Sequence, residues 1–538
     1  MNQDRTGGDQ VSQERIGRAG RPGGTGRVIL VNPHMCSPRS VRLPLSLLSL
    51  AAVLEGRQDC LLVDGNLDPE ATATVLAAVA AEPCALLAVT VMPGPQVAAA
   101  IEVSAAVRRA HPRVPIAWGG YFPTLYPAAA INAPYVDYVV RGQGEDTLLQ
   151  LLDRLADAGP PVDVGQSAAD PTALDGVAGL TWKQAGRAVH NPERHARPPD
   201  AYPPLPYERA GDVQRYLRPS FLGRRTAVHQ AAVGCRYHCS FCGVVSMWNG
   251  ATRLQGAARL DNALRLLRDR HGADAIQFYD HNFFDTEEAS QPTLEVLARI
   301  GLPWWSYARA DTLARFSPAT WKLLKASRYR MSYIGAEAAS DEVLRRMKKG
   351  TRVEHTFEVA RKTREHGIIP ELSFVLGGPE DPEGEVEKTL GFIKRVKAVN
   401  PESEVILYFY SPTPQRDPRA VAADGQGSRL PVLETYGPEG PTLPTTPEEW
   451  TEPRWISYVC HQDAPWLHPR LKARVRAFGT VLACRFPTVQ DVSTPPWAKR
   501  LLRLLAGWRY GSGRYGNPWE LDLARRLVHL REPQRESL

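Results

Sequence analysis

Twice along this chain, short apolar runs alternate with longer amphipathic stretches, and this alternation constrains the fold more than any other feature. The first series is RVILVNP, CLLVDGN, ALLAVTVMP, VPIAWGG and YVDYVV, with helical stretches between such as QVAAAIEVSAAVRRA and, at its end, TLLQLLDRLADA. Near-continuous β-rich runs separated by helices describe a parallel sheet covered on both faces, with ligands beyond the strands' carboxyl ends. A doubly wound, Rossmann-like α/β domain is expected over residues 27–158. The second series, TAVHQAAVGC, AIQFYDHNFF, PWWSYARAD, YRMSYIGAE, IPELSFVLGG and EVILYFYSP, supplies six β/α units. Six units make an open, partial (β/α)6 TIM-like barrel over 223–415 rather than a closed barrel of eight.

The remaining stretches are punctuation by composition. Residues 1–26, rich in Gly, Arg and Gln, read as a disordered arm, and 159–222 as a Pro-rich connector holding a hairpin at GLTWKQAGRAVHNP. Residues 416–538 read as a Pro/Gly-rich linker followed by a mainly helical region. Its Trp450, Trp455, Trp466, Trp497, Trp508 and Trp519 are expected to cover the barrel mouth, more by packing than by recognition. The 65 Lys and Arg against 58 Asp and Glu leave a net charge of +7, mild for 538 residues, so no nucleic-acid partner is expected. No run approaches the roughly 18 apolar residues of a membrane span, and the start lacks a secretory apolar core, so a cytoplasmic protein without a membrane partner is expected.

Of eight cysteines, Cys235, Cys239 and Cys242 stand together in GCRYHCSFCGV. Thiolates bind soft metals, and these spacings let one tight loop direct three sulfurs at one centre. A structural zinc site usually takes four ligands, and His238 lies between two of the cysteines, where it is expected to point away. Zinc and unrelated buried thiols remain alternatives; a 4Fe-4S cluster on three thiolates leaves one iron open to a substrate or cofactor.

The CxxxCxxC loop after the first barrel strand resembles that of the radical S-adenosylmethionine (SAM) enzymes, and FYDHNFF, IGAEAASDEVLRRMKKG and LSFVLGGPED resemble that family's later elements in the same order. The resemblance implies a 4Fe-4S cluster on Cys235, Cys239 and Cys242, whose open iron binds SAM and whose electron cleaves it to a 5'-deoxyadenosyl radical. It further implies SAM contacts from Phe241, Asp280, Arg309, Glu337, Gly377 and Gly378, with Phe241 near the adenine, Glu337 near the ribose or amino group and Arg309 pairing with the methionine carboxylate. GGPED departs from the family's GxPGE loop.

Small residues at the strand ends of the first domain, Gly119, Gly120, Gly142 and Gly144, leave room for a broad, flat ligand. A dinucleotide site wants GxGxxG after the first strand, where this chain reads VNPHMCSPRS, so NAD is disfavoured. From RVILVNP to RGQGEDTLLQLL the chain resembles the cobalamin-binding domain that precedes the barrel in one large radical SAM class. That resemblance implies cobalamin contacts from Thr90, Gly119, Gly120, Tyr121, Gly142, Gly144 and Glu145. The DxHxxG motif that offers a histidine to cobalt is absent, and His34 occupies the corresponding loop without being expected to ligate. Together the two resemblances imply a cobalamin-dependent radical SAM C-methyltransferase that moves a methyl from methylcobalamin to a substrate carbon, in antibiotic or other natural-product biosynthesis. A small-molecule or carrier-bound substrate and a low-potential flavodoxin or ferredoxin are the implied partners. Polar aromatic C-methylation, oxidative cyclisation without methyl transfer, and a non-catalytic corrinoid sensor are the alternatives.

Overall fold

The computed structural model describes residues 26–38, 40–158, 173–248, 250–415, 432–433 and 441–530, so the expected N-terminal arm lies outside it apart from Gly26. The first domain is built on β1 (Arg27–Asn32), β2 (Cys60–Asp64), β3 (Cys84–Thr90), β4 (Ile116–Gly119) and β5 (Tyr138–Val140), all parallel. Alternation along β1 shows why its sequence is apolar throughout. Ile29 and Val31 enter a core with helices 71–81 and 96–110, while Val28 and Leu30 enter a second core with helices 45–54 and 145–158. Each of these fully buried side chains contributes roughly 1.5–3 kcal/mol. Both faces are therefore covered, as a doubly wound sheet requires.

The hairpin β6 (Leu180–Gln184) and β7 (Arg187–His190) forms where the sequence signals it, and it extends the first sheet to the order β2-β1-β3-β4-β5-β6-β7 by pairing β6 antiparallel to β5. The sheet thus continues past residue 158. Lys183 Nζ secures this extension, donating at 2.7 Å to the carbonyls of Ala133 and Val136.

The second domain carries β8 (Thr226–His229), a short antiparallel ribbon of β9 (Ala232–Gly234) and β10 (Thr252–Leu254), then β11 (Ala275–Phe278), β12 (Trp304–Ala308), β13 (Tyr329–Glu337), β14 (Ile369–Leu376) and β15 (Glu404–Phe409). The order β15-β14-β13-β12-β11-β8 is parallel throughout and remains open between β15 and β8. This is the six-unit partial barrel.

The C-terminal helices 453–459, 469–485, 496–512 and 519–527 do not act as one cover. Trp450, Trp455 and Tyr458 pack into the first domain's core, while Leu467, Val475 and Phe478 pack into the barrel's. Farther on, Thr488 Oγ1 donates to Glu404 at 2.7 Å and Gln490 Nε2 to Glu371 at 2.6 Å, at the starts of β15 and β14. Residues 450–467 therefore lie near the carboxyl ends of the barrel strands, and the loop leading to helix 496–512 caps the opposite ends. The expectation that all six tryptophans cover the mouth changes accordingly. Trp450 and Trp455 are buried, Trp466 sits at the mouth with Nε1 3.4 Å from the Gly377 carbonyl, and Trp497, Trp508 and Trp519 face solvent.

Candidate functional site

The β9–β10 ribbon closes the neck of the loop that carries the three cysteines. Gly234, opposite Thr252, has φ +74°, and a Cβ there would stand 2.0 Å from the Ala251 carbonyl, so only glycine fits. Within the loop, Arg236 N donates to Thr252 Oγ1 at 2.9 Å, Cys242 N to the Cys239 carbonyl at 3.1 Å, and Ser240 N to the Met347 carbonyl at 3.0 Å. His238 folds back against Gly250. Cys239 is buried and the other two thiols half-buried. Burial pushes the Cys242 thiol up to about 12, with Cys239 and Cys235 adding to the effect, and burial likewise raises Cys235, again with Cys239 contributing. The three sulfurs thus lie within electrostatic reach of one another. Among the described residues no three His, Cys, Asp or Glu side chains converge tightly enough for one metal ion. A single zinc would draw its sulfurs to about 3.8 Å of each other, given 2.3 Å bonds in a tetrahedron, whereas a cubic cluster gives each thiolate its own iron and a wider spacing.

Two buried cations flank this loop. The Arg309 guanidinium donates to Asp311 at 3.0 Å and to the Lys349 carbonyl, lies 3.5 Å from the Tyr237 ring centroid, and reaches Cys239 Sγ at 3.7 Å. Lys349 Nζ donates to Glu337 Oε1 at 2.6 Å. Burial works against its charge, but the adjacent Glu337 and Cys239 hold its pKa above the ordinary value. Glu337 also accepts from Ser373 Oγ at 3.3 Å and has φ +61°, a strained backbone for a side chain other than glycine.

The other residues expected to surround SAM have these places. Phe241 packs with Ala338, Val343, Leu344 and Met347, with Lys349 over its ring at 5.6 Å. Asp280 Oδ1 accepts from Ala232 N at the base of the cysteine loop, while its Oδ2 is buried without a protein partner. Burial drives its pKa well up. Gly377 and Gly378 lie close to protein atoms. Leu467 covers Gly377 and Glu385 covers Gly378.

A cavity of about 200 Å³ opens at the carboxyl ends of the first domain's strands and extends to the cysteine-loop side of the barrel. Thr90, Gly119, Gly120, Gly142, Gly144 and Glu145 all line it. Tyr121 does not line it. It stands behind, its ring 6.0 Å from that of His281, and burial followed by the charge of Cys242 raises its pKa. The barrel's contribution to the lining, which includes His229, Met247, Trp248, Gln255 and Arg259, was not anticipated from the sequence. Met247 and Trp248 follow the third cysteine by five and six residues, in the short helix Val244–Trp248, which is the signal that could have found them. Lys349 was available in the same way, from the MKKG run. His34 points elsewhere, with Nδ1 3.2 Å from the Gly65 carbonyl.

The B12-binding domain family matches residues 37–152 and the radical SAM superfamily matches residues 230–393. The chain carries a B12-binding domain followed by a radical SAM domain. It is 25% identical over 284 residues to an uncharacterised methyltransferase of Pyrococcus horikoshii, covering 52% of this chain and 58% of that one. It is 24% identical over 405 residues to the anaerobic magnesium-protoporphyrin IX monomethyl ester cyclase of Synechocystis, covering 72% and 75%. The chain thus spans little more than half the length of the first of these relatives. Among solved structures, the radical SAM methyltransferase TsrM of Kitasatospora setae, with cobalamin and a [4Fe-4S] cluster bound, superposes with a TM-score of 0.56 at 20% identity, over 72% of this chain and 76% of that one. The shared fold is therefore B12-binding domain first and radical SAM barrel second.

The residues of this chain fit the groups its two domains imply. A Cβ on Gly119 or Gly144 would meet no protein atom closer than 3.8 or 3.5 Å, so packing does not demand glycine at either place. What the missing side chains leave free is the cavity floor. Three thiols on one loop, within electrostatic reach of one another and beside two buried cations, likewise suit an anionic iron–sulfur centre better than a neutral core.

Proposed function

We propose that this protein is a cobalamin-dependent radical SAM methyltransferase acting on a substrate carbon, and the observation that carries the reading is adjacency. The cavity floored by Gly119, Gly142 and Gly144 is walled on its far side by Met247 and Trp248, from the short helix that follows Cys242. When bound, the cluster with SAM supplies one-electron cleavage chemistry, and cobalamin supplies a transferable methyl group. Cys235, Cys239 and Cys242 hold the cluster, and Thr90, Gly119, Gly120, Gly142, Gly144 and Glu145 seat the corrin. Ser49 Oγ donates to the half-buried Glu145 carboxyl at 2.5 Å and fixes its direction. We assign Tyr121, packed against His281 and within electrostatic reach of Cys242, to the thiol side of the cavity.

Arg309 and Glu337 already have protein partners for their charges, so we assign them the orientation of the cysteine loop, with Tyr237 and Lys349, in place of direct SAM pairing. Asp280 holds that loop's base through Ala232 and keeps one oxygen free for the cofactor. Phe241 shapes the adenine side. Leu467, Tyr410 and Trp466 close the mouth near Gly377 and exclude water around reacting groups. A low-potential flavodoxin or ferredoxin supplies the electron, and a small-molecule or carrier-bound natural-product precursor is the substrate.

The resemblance to a cyclase keeps a second reading in play: the same two cofactors used for oxidative ring closure without net methyl transfer. The test is anaerobic reconstitution with iron, sulfide and hydroxocobalamin, then incubation with dithionite and SAM carrying a deuterated methyl. Formation of 5'-deoxyadenosine together with transfer of the labelled methyl to cobalamin supports methyl transfer. Nucleoside formation with no labelled cobalamin favours ring closure. If neither appears, the assignment fails.

A further inference from the structure

Helix 496–512, PWAKRLLRLLAGWRYGS, carries four cations, Lys499, Arg500, Arg503 and Arg509, and no acidic residue. Its Trp497, Leu501, Leu504, Leu505 and Trp508 stand at i, i+4, i+7, i+8 and i+11, which at 100° per residue is a single stripe. The stripe faces outward, with each side chain between 44% and 77% exposed, while Ala498, Leu502 and Ala506 on the other side are buried. The adjacent helix 519–527 repeats the arrangement with exposed Trp519, Leu523 and Leu527, and Arg509 Nη2 to Glu520 Oε2 at 2.9 Å ties the two helices together. Arg500, Arg503 and Arg526 are exposed beside these stripes and make no ion pair among the described residues.

We propose that this paired-helix face docks the protein on an anionic lipid surface. Leu and Trp on one face with Arg and Lys beside them is the pattern of a helix lying in the headgroup region, and such a helix has no long apolar run. Accordingly the sequence carries no spanning run, and no helix among the described residues is long and apolar enough to cross a membrane. Charge selects the occupant. A second copy would set unpaired arginines against each other. The segments outside the described residues carry few large apolar side chains to cover the face, such as Val162, Val164, Val421, Leu430 and Leu538. The face adjoins the end of the barrel capped by Thr488 and Gln490, so lipid contact there leaves the cavity and the mouth open.

The test is co-sedimentation of the full chain with vesicles of equal parts phosphatidylglycerol and phosphatidylcholine, against phosphatidylcholine alone. The protein should pellet with the anionic vesicles and about 10-fold less with the neutral ones, and salt should weaken binding. Leu504→Glu with Trp508→Glu should lower partitioning at least about 10-fold while leaving circular dichroism and gel-filtration elution unchanged, because both side chains are solvent-exposed. Arg500→Glu with Arg503→Glu should abolish the preference for anionic lipid. Wild-type protein left in the supernatant, or a Leu504/Trp508 variant that pellets like wild type, overturns the proposal. So does a wild-type dimer that the Leu504/Trp508 variant splits, which would make the face an interface between copies, or capture of an acidic carrier protein with vesicles ignored.

Discussion

Replacing Lys349 with Met removes one member of a buried pair whose nitrogen and oxygen are 2.6 Å apart, with side chains only 9% and 6% exposed. At an effective dielectric near 20, unit charges at that distance attract by about 6 kcal/mol, but desolvating both groups offsets most of this. The intact pair therefore contributes little net stability. Loss of the ammonium alone is different, because the Glu337 carboxylate stays buried with Ser373 as its remaining partner, at a cost of about 3–5 kcal/mol. Urea unfolding of the cluster-free protein, with Lys349→Met, Glu337→Gln and the double variant, measures this directly. The Lys349 variant should lose about 3–5 kcal/mol, and the double variant should lose less than the sum of the singles by at least about 2 kcal/mol. Strictly additive losses, or a Lys349 variant within about 1 kcal/mol of wild type, would refute the reasoning.

Gly119→Leu should abolish retention of cobalamin through gel filtration while leaving iron content and unfolding midpoint close to wild type, since no protein atom stands in the way of the new Cβ; unaltered cobalamin binding would place the corrin elsewhere. His229 is buried, its Nδ1 accepting from the Tyr207 hydroxyl and its Nε2 donating to Gln255 Oε1, each at 2.9 Å, and burial lowers its pKa to about 4. The unfolded chain then binds a proton that the folded chain refuses as pH falls from 6.5 towards 4. Stability should drop by on the order of 2 kcal/mol between pH 7 and pH 5 from this residue, a slope that His229→Gln should flatten.

What could be read from the sequence and what could not divides along a physical line. Strand-end residues such as Thr90, Gly119 and Gly142 were legible because alternating elements fix which end of a parallel sheet they occupy, and the cavity lies there. The hairpin at 180–190 was legible as a hairpin, but its pairing with β5 is a long-range choice that local pattern does not encode. Lys349 could not be paired with Glu337 in advance, because the strand and turn between them set the geometry. Arg309 looked like a ligand for a carboxylate, yet Asp311, two residues away, already meets that need. Trp497 and Trp508 were expected at the barrel mouth, but burial of Ala498 and Leu502 on the other side of their helix turns both to solvent, a long-range packing choice that local pattern does not encode.

The central claim, three thiolates holding a cluster whose fourth iron is open beside a corrin site, is tested most directly by electron paramagnetic resonance of the anaerobically reconstituted, dithionite-reduced protein before and after SAM is added. A reduced 4Fe-4S signal that changes shape with SAM in wild type, and is lost in Cys239→Ala, is the predicted result. A signal indifferent to SAM, or one that survives the loss of Cys239, would contradict it.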